Sequence, residues 1–448
     1  MAPIPGDLSP GAARPPATGP EIRTFLNSLF DAAVAAALPQ NCLPPHLPER
    51  PAQGRTLVLG AGKAAAAMAQ AVEAAWPGPL EGCVVCPHGS ALPLRSIECR
   101  EAAHPVPDEA GAAAAARLLE LAGQAGEGDL VLVLLSGGAS ALTPAPPPGV
   151  SLAEKQEISR ALLRRGAAIG DLNTVRKHLS LFKGGRLARA AAPARVVTLA
   201  ISDVAGDDPA VIGSGPTVAD PGTVADARAA LARYGVTLPP AASAWLDDPA
   251  AESPKPGDAD LARAELKIVA TAADSLLAAA AVAERAGVRP LILSDRFTGD
   301  ARALAAMHAE VALAAVARGL PAAAPLVLLS GGEVTVDVGG QGRGGPNGEF
   351  ALALARALDA AAASDPAGAA RISALACDTD GADGPSGLAG AFVAADSVAR
   401  ARAAGIDPVA AQAENDSYGL FLALGDALET GPTQTNVNDF RAVLVLPR

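Results

Sequence analysis

The sequence predicts a two-domain α/β protein with a doubly wound first domain. Three observations carry that expectation: a length of 448 residues, short apolar runs alternating with alanine-rich helical stretches, and glycine-rich loops placed just after the apolar runs. A chain this long exceeds what one hydrophobic core ordinarily serves, and a cleft between domains is the usual place for a ligand. Repeated strand-then-helix order is the signature of a largely parallel sheet.

The elements follow in order. Residues 1–20 are rich in Pro, Gly and Ala, with neither a basic start nor an unbroken apolar run, so a disordered tail is expected rather than a secretory signal. Helical spacing covers 21–38 and stops at the proline-rich run 43–51. Strands are expected at 56–59, 82–86, 130–135 and 195–201, with helices at 64–75, 110–123 and 223–234. The Pro- and Asp-rich stretch 239–260 reads as a linker, which ends the first domain near 257. Beyond it, strands are expected at 266–270, 290–293, 325–329, 334–338, 372–376 and 442–446.

Composition narrows the function classes. A net charge of −12 argues against nucleic acid, because phosphate-backbone binding needs a basic surface. The charge is uneven, however: Lys155, Arg160, Arg164, Arg165, Arg176, Lys177, Lys183, Arg186 and Arg189 face only Glu157 and Asp171 over that segment. Such a basic island in an acidic protein focuses small anions, although Arg160, Arg164 and Arg165 read better as solvated helix faces. No apolar run of membrane-spanning length is present, so no membrane association is expected. Five scattered cysteines form no framework and suit a reducing, cytoplasmic setting without disulfides. Cys83 and Cys86 would point to opposite faces of a strand, and the five histidines lack ligand spacing, so core or surface roles are expected for them.

Ligands of open α/β sheets bind beyond the carboxyl ends of the strands, which directs attention to the loops there. Gly60-Ala-Gly62-Lys63 matches the start of a dinucleotide or phosphate loop, yet the second strand ends in Cys-Pro-His without the ribose-binding acid, and no Walker sequence follows. Lys63 then sits at a helix start, where an ammonium is misplaced unless an anion joins it; the alternative is a lysine reaching solvent. Ser136-Gly137-Gly138-Ala-Ser140 follows an apolar strand and could form an anion nest or a plain tight turn. Ser330-Gly331-Gly332-Glu333 repeats that pattern in the second domain. Arg176 offers a fork for a carboxylate, and Lys183, beside two glycines, offers a point charge for phosphate. Asp203, in the Asp-rich loop after the fourth of these strands, suits Mg²⁺ or a substrate hydroxyl's proton, while Asp207-Asp208-Pro209 reads equally as turn chemistry. Gly339 to Glu349 is a glycine loop carrying Arg343, and the Asp378 to Gly384 run fails the calcium-loop pattern.

Taken in order, 60–65, 136–146, 173–189, 202–217, 330–333, 342–352, 379–391, 415–418 and 431–439 resemble the glycerate 2-kinase family, which joins a MOFRL-associated N-terminal domain to a MOFRL domain. The resemblance implies a Rossmann-like domain over 21–257 and an α/β domain with a mixed sheet over 258–448, MOFRL lying within about 325–445. It implies ATP-dependent phosphorylation of D-glycerate, a small-molecule substrate, to 2-phosphoglycerate in the interdomain cleft, with Mg²⁺; no nucleic acid or membrane partner is expected, and a homodimer is left open. Lys63 matches the family's functionally important lysine. The expected catalytic set is Lys63, Asp203 and Arg343, and the expected glycerate contacts are Ser136, Gly137, Gly138, Ser140, Arg176 and Lys183. For the nucleotide the expectation is Gly60, Gly62, Ser330, Gly331, Gly332, Glu333, Asn347, Glu349, Asp383, Asn436 and Asn438, and for the metal Asp203 or Asp380. Two positions depart from the family pattern: Pro346 and Gly348 replace Arg and Gln in the glycine loop, and Gln434 precedes Thr435, so Arg343 stands in for the lost arginine. An NAD(P)H-dependent hydroxypyruvate reductase is the alternative, and a binding protein without catalysis is the third reading.

Overall fold

A computed structural model describes residues 14–448, so most of the expected tail lies outside the described residues. The chain divides into two compact units, one formed by 37–271 with 434–437, the other by the N-terminal helix with 272–433 and 438–448.

The first unit holds a six-stranded sheet of β1 (Thr56–Ala61), β2 (Glu81–Pro87), β3 (Ile97–Ala102), β4 (Leu130–Leu135), β5 (Arg195–Ile201) and β6 (Ala264–Ala270). The order is β3-β2-β1-β4-β5-β6 and every pairing is parallel, so the chain reverses direction across the sheet between β1 and β4. Those two strands are buried at every residue because helices cover both faces. Leu57, Leu59, Val131 and Val133 pack with Ala114 and Leu118 of the helix Glu109–Ala122, while Val58, Leu132 and Leu134 pack with Met68 and Val72 of the helix Ala65–Ala75. Strand β6, expected beyond the linker, instead completes this sheet beside β5. Strand β3 escaped the sequence reading because Ile-Glu-Cys-Arg-Glu-Ala is an edge strand, and charges there discourage further pairing.

The second unit carries a mixed sheet of β7 (Arg289–Asp300), β8 (Leu326–Thr335), β9 (Ile372–Asp378), β10 (Gly390–Val393), β11 (Ala427–Leu428) and β12 (Asp439–Val445), in the order β11-β10-β9-β12-β8-β7. Only β7 and β8 run parallel to each other as neighbours; the other pairs are antiparallel. The N-terminal helix Gly19–Ala37 lies against this sheet, with Phe25, Leu26 and Phe30 packed among Leu375, Phe440 and Leu444. Two expected strands, 325–329 and 334–338, prove to be one: β8 continues through Ser330, Gly331 and Gly332 to Thr335. Gly332 has φ +113, and a Cβ there would lie 2.1 Å from Phe297 O, so glycine is what lets β7 and β8 pair closely. Among the described residues all five cysteines are free thiols, and no helix is long and apolar enough to cross a membrane.

The departures from the family pattern have a local account. Pro346 opens the helix Pro346–Ala362, where its missing N–H has no intrahelical partner to lose. A Cβ on Gly348 would lie 2.6 Å from Ser417 Oγ and 3.0 Å from the Tyr418 ring. Gly348→Ala, which in an open helix would stabilise by about 1 kcal/mol, is therefore expected to destabilise by roughly 1–3 kcal/mol through overpacking. Urea unfolding midpoints at unchanged m-value check the sign.

Candidate active site

The turns that follow β1 and β4 close on each other. Gly62 has φ +139, and a Cβ there would fall 2.1 Å from Ser136 Oγ. Without that atom, the buried Ser136 hydroxyl accepts from Ala64 N at 3.0 Å and Gly137 O accepts from Lys63 N at 2.8 Å. Ala65 N donates to Gly62 O at 3.1 Å. The N–H groups of Gly62, Lys63, Ala64 and Ala65, in the turn and at the first position of the helix Ala65–Ala75, where pyrophosphate lies in a dinucleotide enzyme, are thus already bonded to protein. Gly60 also packs inward, its Cβ position 2.8 Å from Leu134 O. Close packing therefore requires glycine at Gly60 and Gly62, the two residues expected to bind cofactor.

Beyond this closure the functional side chains gather around two glycines. A Cβ on Gly137 would lie 1.9 Å from Asp203 Oδ2 and 2.6 Å from Asn436 Nδ2, and Asn436 Nδ2 donates to Asp203 Oδ2 at 3.2 Å. Gly138 is left-handed, with φ +83, its Cβ position 3.0 Å from His104 Cδ2 and 3.5 Å from Lys63 Cγ. Lys63, Ser136, Gly137, Gly138, Asp203 and Asn436 are thereby brought together at the carboxyl ends of β1, β4 and β5. That is the crevice where the sheet order reverses, the expected ligand position for such sheets.

A cavity of about 330 Å³ opens beside Gly138 and Ser140. Its cations are Lys155, Arg176 and Lys183, with the exposed Arg160 at its edge, and no Asp or Glu lines it. Lys183 is buried and donates to Ser140 O at 2.5 Å and Ser140 Oγ at 2.8 Å. Lys155, also buried, donates to Pro144 O and to Leu179 O, the latter at 2.6 Å. Burial, reinforced by Arg176 and Arg186, brings the Lys155 ammonium down to about 7, and burial with Lys155 and Arg176 holds Lys183 well below the usual lysine range. Arg176 is lowered by burial too. Three cations lowered by burial, two of them also by neighbouring positive charge, with no carboxylate lining the cavity, make a site that gains from an anion. The loops that the sequence singled out build its floor: Ser140 Oγ meets Ser214 Oγ at 2.9 Å, and Gly184 N donates to Ser214 O at 3.0 Å.

His104 and Lys155 were not selected from the sequence. The signal for Lys155 was available, since Leu152, Lys155, Ile158 and Leu162 form the buried face of the helix Leu152–Arg164. A lysine on a core-facing stripe needs a reason. His104 had no such signal, because a histidine between an edge strand and two prolines reads as loop.

In the second unit most of the expected nucleotide contacts have other uses. Ser330 is buried within β8, its hydroxyl 2.9 Å from His308 Nε2, and Gly331 and Gly332 are buried in the same strand rather than in a turn. Burial brings His308 down to about 4. Asn347 and Glu349 lie buried in the first turn of a helix. Asp383 accepts from Asn347 N at 3.0 Å, Gly348 N at 2.8 Å and Tyr418 Oη at 2.5 Å, and burial raises it to about 6. Glu349 is held by Arg302 Nη2 at 2.8 Å. Asn347 Nδ2 donates to Asp439 Oδ1 at 2.6 Å. Ser330, Gly331, Gly332, Asn347, Glu349 and Asp383, expected to contact nucleotide, are thus buried with partners inside the fold, while Asn347 Oδ1 and Glu349 Oε1 are buried with no hydrogen-bond partner among the described residues. Glu333 is exposed, and so is Arg343, whose N–H donates to Asp416 Oδ1 at 2.9 Å. Asn438 adopts φ +66 and its carbonyl accepts from Thr379 Oγ1 at 2.7 Å. Asp380 Oδ1 accepts from Ala382 N at 2.8 Å, closing its own turn. Among the described residues no three His, Cys, Asp or Glu side chains cluster as metal ligands.

Two family descriptions match the chain: a domain of unknown function, DUF4147, over residues 25–247, and the MOFRL family over 326–439. The chain is 37% identical over 416 residues to the "D-glycerate 2-kinase" of Thermotoga maritima, covering 92% of this chain and 96% of that one. A crystal structure of the glycerate kinase from that organism superposes with a TM-score of 0.86 at 35% identity, covering 95% of this chain and all of the other. The chain belongs to the glycerate 2-kinase family. Another relative, from Agrobacterium vitis, is 52% identical over 426 residues, 94% of each chain, and carries the name "Putative hydroxypyruvate reductase". Both names thus occur among relatives of one architecture.

The lowered lysine gives this member of the family a pH dependence. Lys155 is charged below about 7 and neutral above it, and a bound anion favours the charged form. Affinity for sulfate, whose own charge is constant in this range, is therefore expected to be greatest near pH 6 and to fall toward pH 8.5, by up to about tenfold per unit. Isothermal titration of the wild type and Lys155→Met checks this, with a flatter profile expected in the variant.

Proposed function

We propose that this chain is an ATP-dependent kinase that phosphorylates the 2-hydroxyl of D-glycerate, using the crevice between β1 and β4. The carrying observation is the closure of the helix start by Ser136 and Gly137 beside a cavity of uncompensated cations. It supports side-chain binding of phosphate, since the N–H groups of Gly62, Lys63, Ala64 and Ala65 already have protein partners. The names of relatives point the same way: glycerate kinases of Thermotoga maritima and of Homo sapiens, the latter 36% identical over 490 residues.

Phosphoryl transfer is catalysed mainly by positioning and charge neutralisation. In this reading Lys63 supports the transferring group. Asp203, held by Asn436 Nδ2, accepts the proton of the substrate hydroxyl. Gly137 and Gly138 leave room for the acceptor against bare backbone. The residues suit a Mg²⁺ carried mainly by the nucleotide, with Asp203 as its protein carboxylate, since magnesium commonly takes one or two carboxylates with phosphates and water. Bound there, it would neutralise charge on the phosphates. Free thiols throughout fit work in the reducing cytoplasm.

The reductase reading keeps one observation in its favour, the Rossmann strand order beside a Gly-x-Gly turn. Against it stands the end of β2, Cys86-Pro87, with no carboxylate for a ribose. Purified protein is expected to form ADP from ATP, Mg²⁺ and D-glycerate and not to oxidise NADH or NADPH with hydroxypyruvate; the reverse pattern would make it a reductase. Lys63→Ala is expected to lower turnover by roughly 10²-fold or more, about 3 kcal/mol of lost stabilisation. A folded variant with near-normal turnover would remove Lys63 from the mechanism.

A further inference from the structure

We infer that the cavity beside Gly138 and Ser140 is the nucleotide site, with the base against its apolar wall and the phosphates on Lys155, Arg176 and Lys183. The inference rests on the kinase reading and concerns which substrate goes where. Kinase chemistry brings two molecules to this crevice. Glycerate carries one carboxylate and two hydroxyls and has no apolar body. The nucleotide carries several negative charges at one end and a planar, largely apolar base at the other.

The cavity has the same two ends. Its floor presents the three cations, two of them on side chains more than nine-tenths buried, with Lys155 7% and Lys183 2% exposed. A single carboxylate could compensate one of them; a polyphosphate compensates all three. The wall is apolar, formed by Pro105, Val106, Pro107 and Leu163. It is a built surface, because Gln156 Nε2 donates to Pro107 O at 2.7 Å and Asp108, the next residue, accepts from Gly111 N at 2.8 Å. At about 330 Å³ the cavity is in the range of sites for drug-sized ligands. It also opens in the useful direction. Gly138 lines it and stands beside Lys63, so phosphates laid along the floor put the terminal one at the crevice that holds Asp203. Glycerate is then left the ground around Gly137, Lys63 and Asp203, and Arg176 and Lys183 pass from the acid's expected contacts to the nucleotide's.

Val106 and Leu163 are 61% and 54% exposed, so a charge placed at either should not disturb folding. Val106→Asp and Leu163→Asp would each set a carboxylate against the base and in the approach of the phosphates. The full chain, wild type and variants, is tested for binding of a fluorescent N-methylanthraniloyl ADP and for steady-state kinetics with ATP and D-glycerate. Both variants are expected to raise the nucleotide Kd and the KM for ATP by roughly tenfold or more, with the KM for glycerate unchanged. A raised KM for glycerate with unaltered ATP constants would overturn the assignment, and so would two variants that leave every constant unchanged. If the wild type turned over no glycerate yet bound the nucleotide, and both variants lost that binding, the kinase reading would fail while the nucleotide site stood.

Discussion

Ser136 joins the turn after β4 to the turn after β1, and the rest of the site is arranged around that contact. Its buried hydroxyl accepts from Ala64 N while the neighbouring Gly137 carbonyl accepts from Lys63 N. A hydrogen bond of this kind contributes about 1 kcal/mol net, but a buried N–H left without it costs about 1–3 kcal/mol. Closing the helix start this way has a chemical consequence. The N–H groups of Gly62, Lys63, Ala64 and Ala65 are occupied, so in the proposed site anion binding falls to side chains. Those chains are Lys63 on the closed turn and the lysines and arginine of the adjoining cavity.

Holding those cations is a burden on the folded chain. Lys155 and Lys183 are buried with carbonyl and hydroxyl partners and no carboxylate, and burial favours their neutral forms. Elsewhere the protein handles a buried lysine differently: Lys177 pairs with Asp220 at 3.2 Å. Buried lysines without a carboxylate partner, such as Lys155 and Lys183, break a local rule, as is common at functional sites. In the second unit Asp383 accepts from Asn347 N and Tyr418 Oη, and Asn347 Nδ2 donates to Asp439, all inside the fold.

Much of the first sheet was legible because its central strands are continuous apolar runs, as burial on both faces requires. Where residues face water the pattern weakens, and β3, with Glu98, Arg100 and Glu101, was invisible for that reason. Lys63, Ser136, Gly137, Gly138 and Asp203 were legible as small or polar residues immediately after buried strands. The second Ser-Gly-Gly run misled, because the same three residues that make a turn after β4 sit mid-strand in β8 beside β7 and β12. Periodicity cannot distinguish those cases; tertiary packing against Phe297 decides. The burial of Asn347, Glu349 and Asp383 was not legible either, since polar residues in a glycine-rich segment read as exposed loop until their partners are known. Lys155 was hidden by the company of solvated arginines on the same helix.

In the proposed site, closure of the turn before the helix moves phosphate recognition onto side chains. A crystal structure with D-glycerate, Mg²⁺ and a non-hydrolysable ATP analogue tests it most directly. The account requires phosphates in contact with Arg176 and Lys183, while Ala64 N remains bonded to Ser136 Oγ and Lys63 N to Gly137 O. Phosphate seated in the Gly60 to Gly62 turn, with those two bonds broken and the helix N–H groups turned to the ligand, would contradict it.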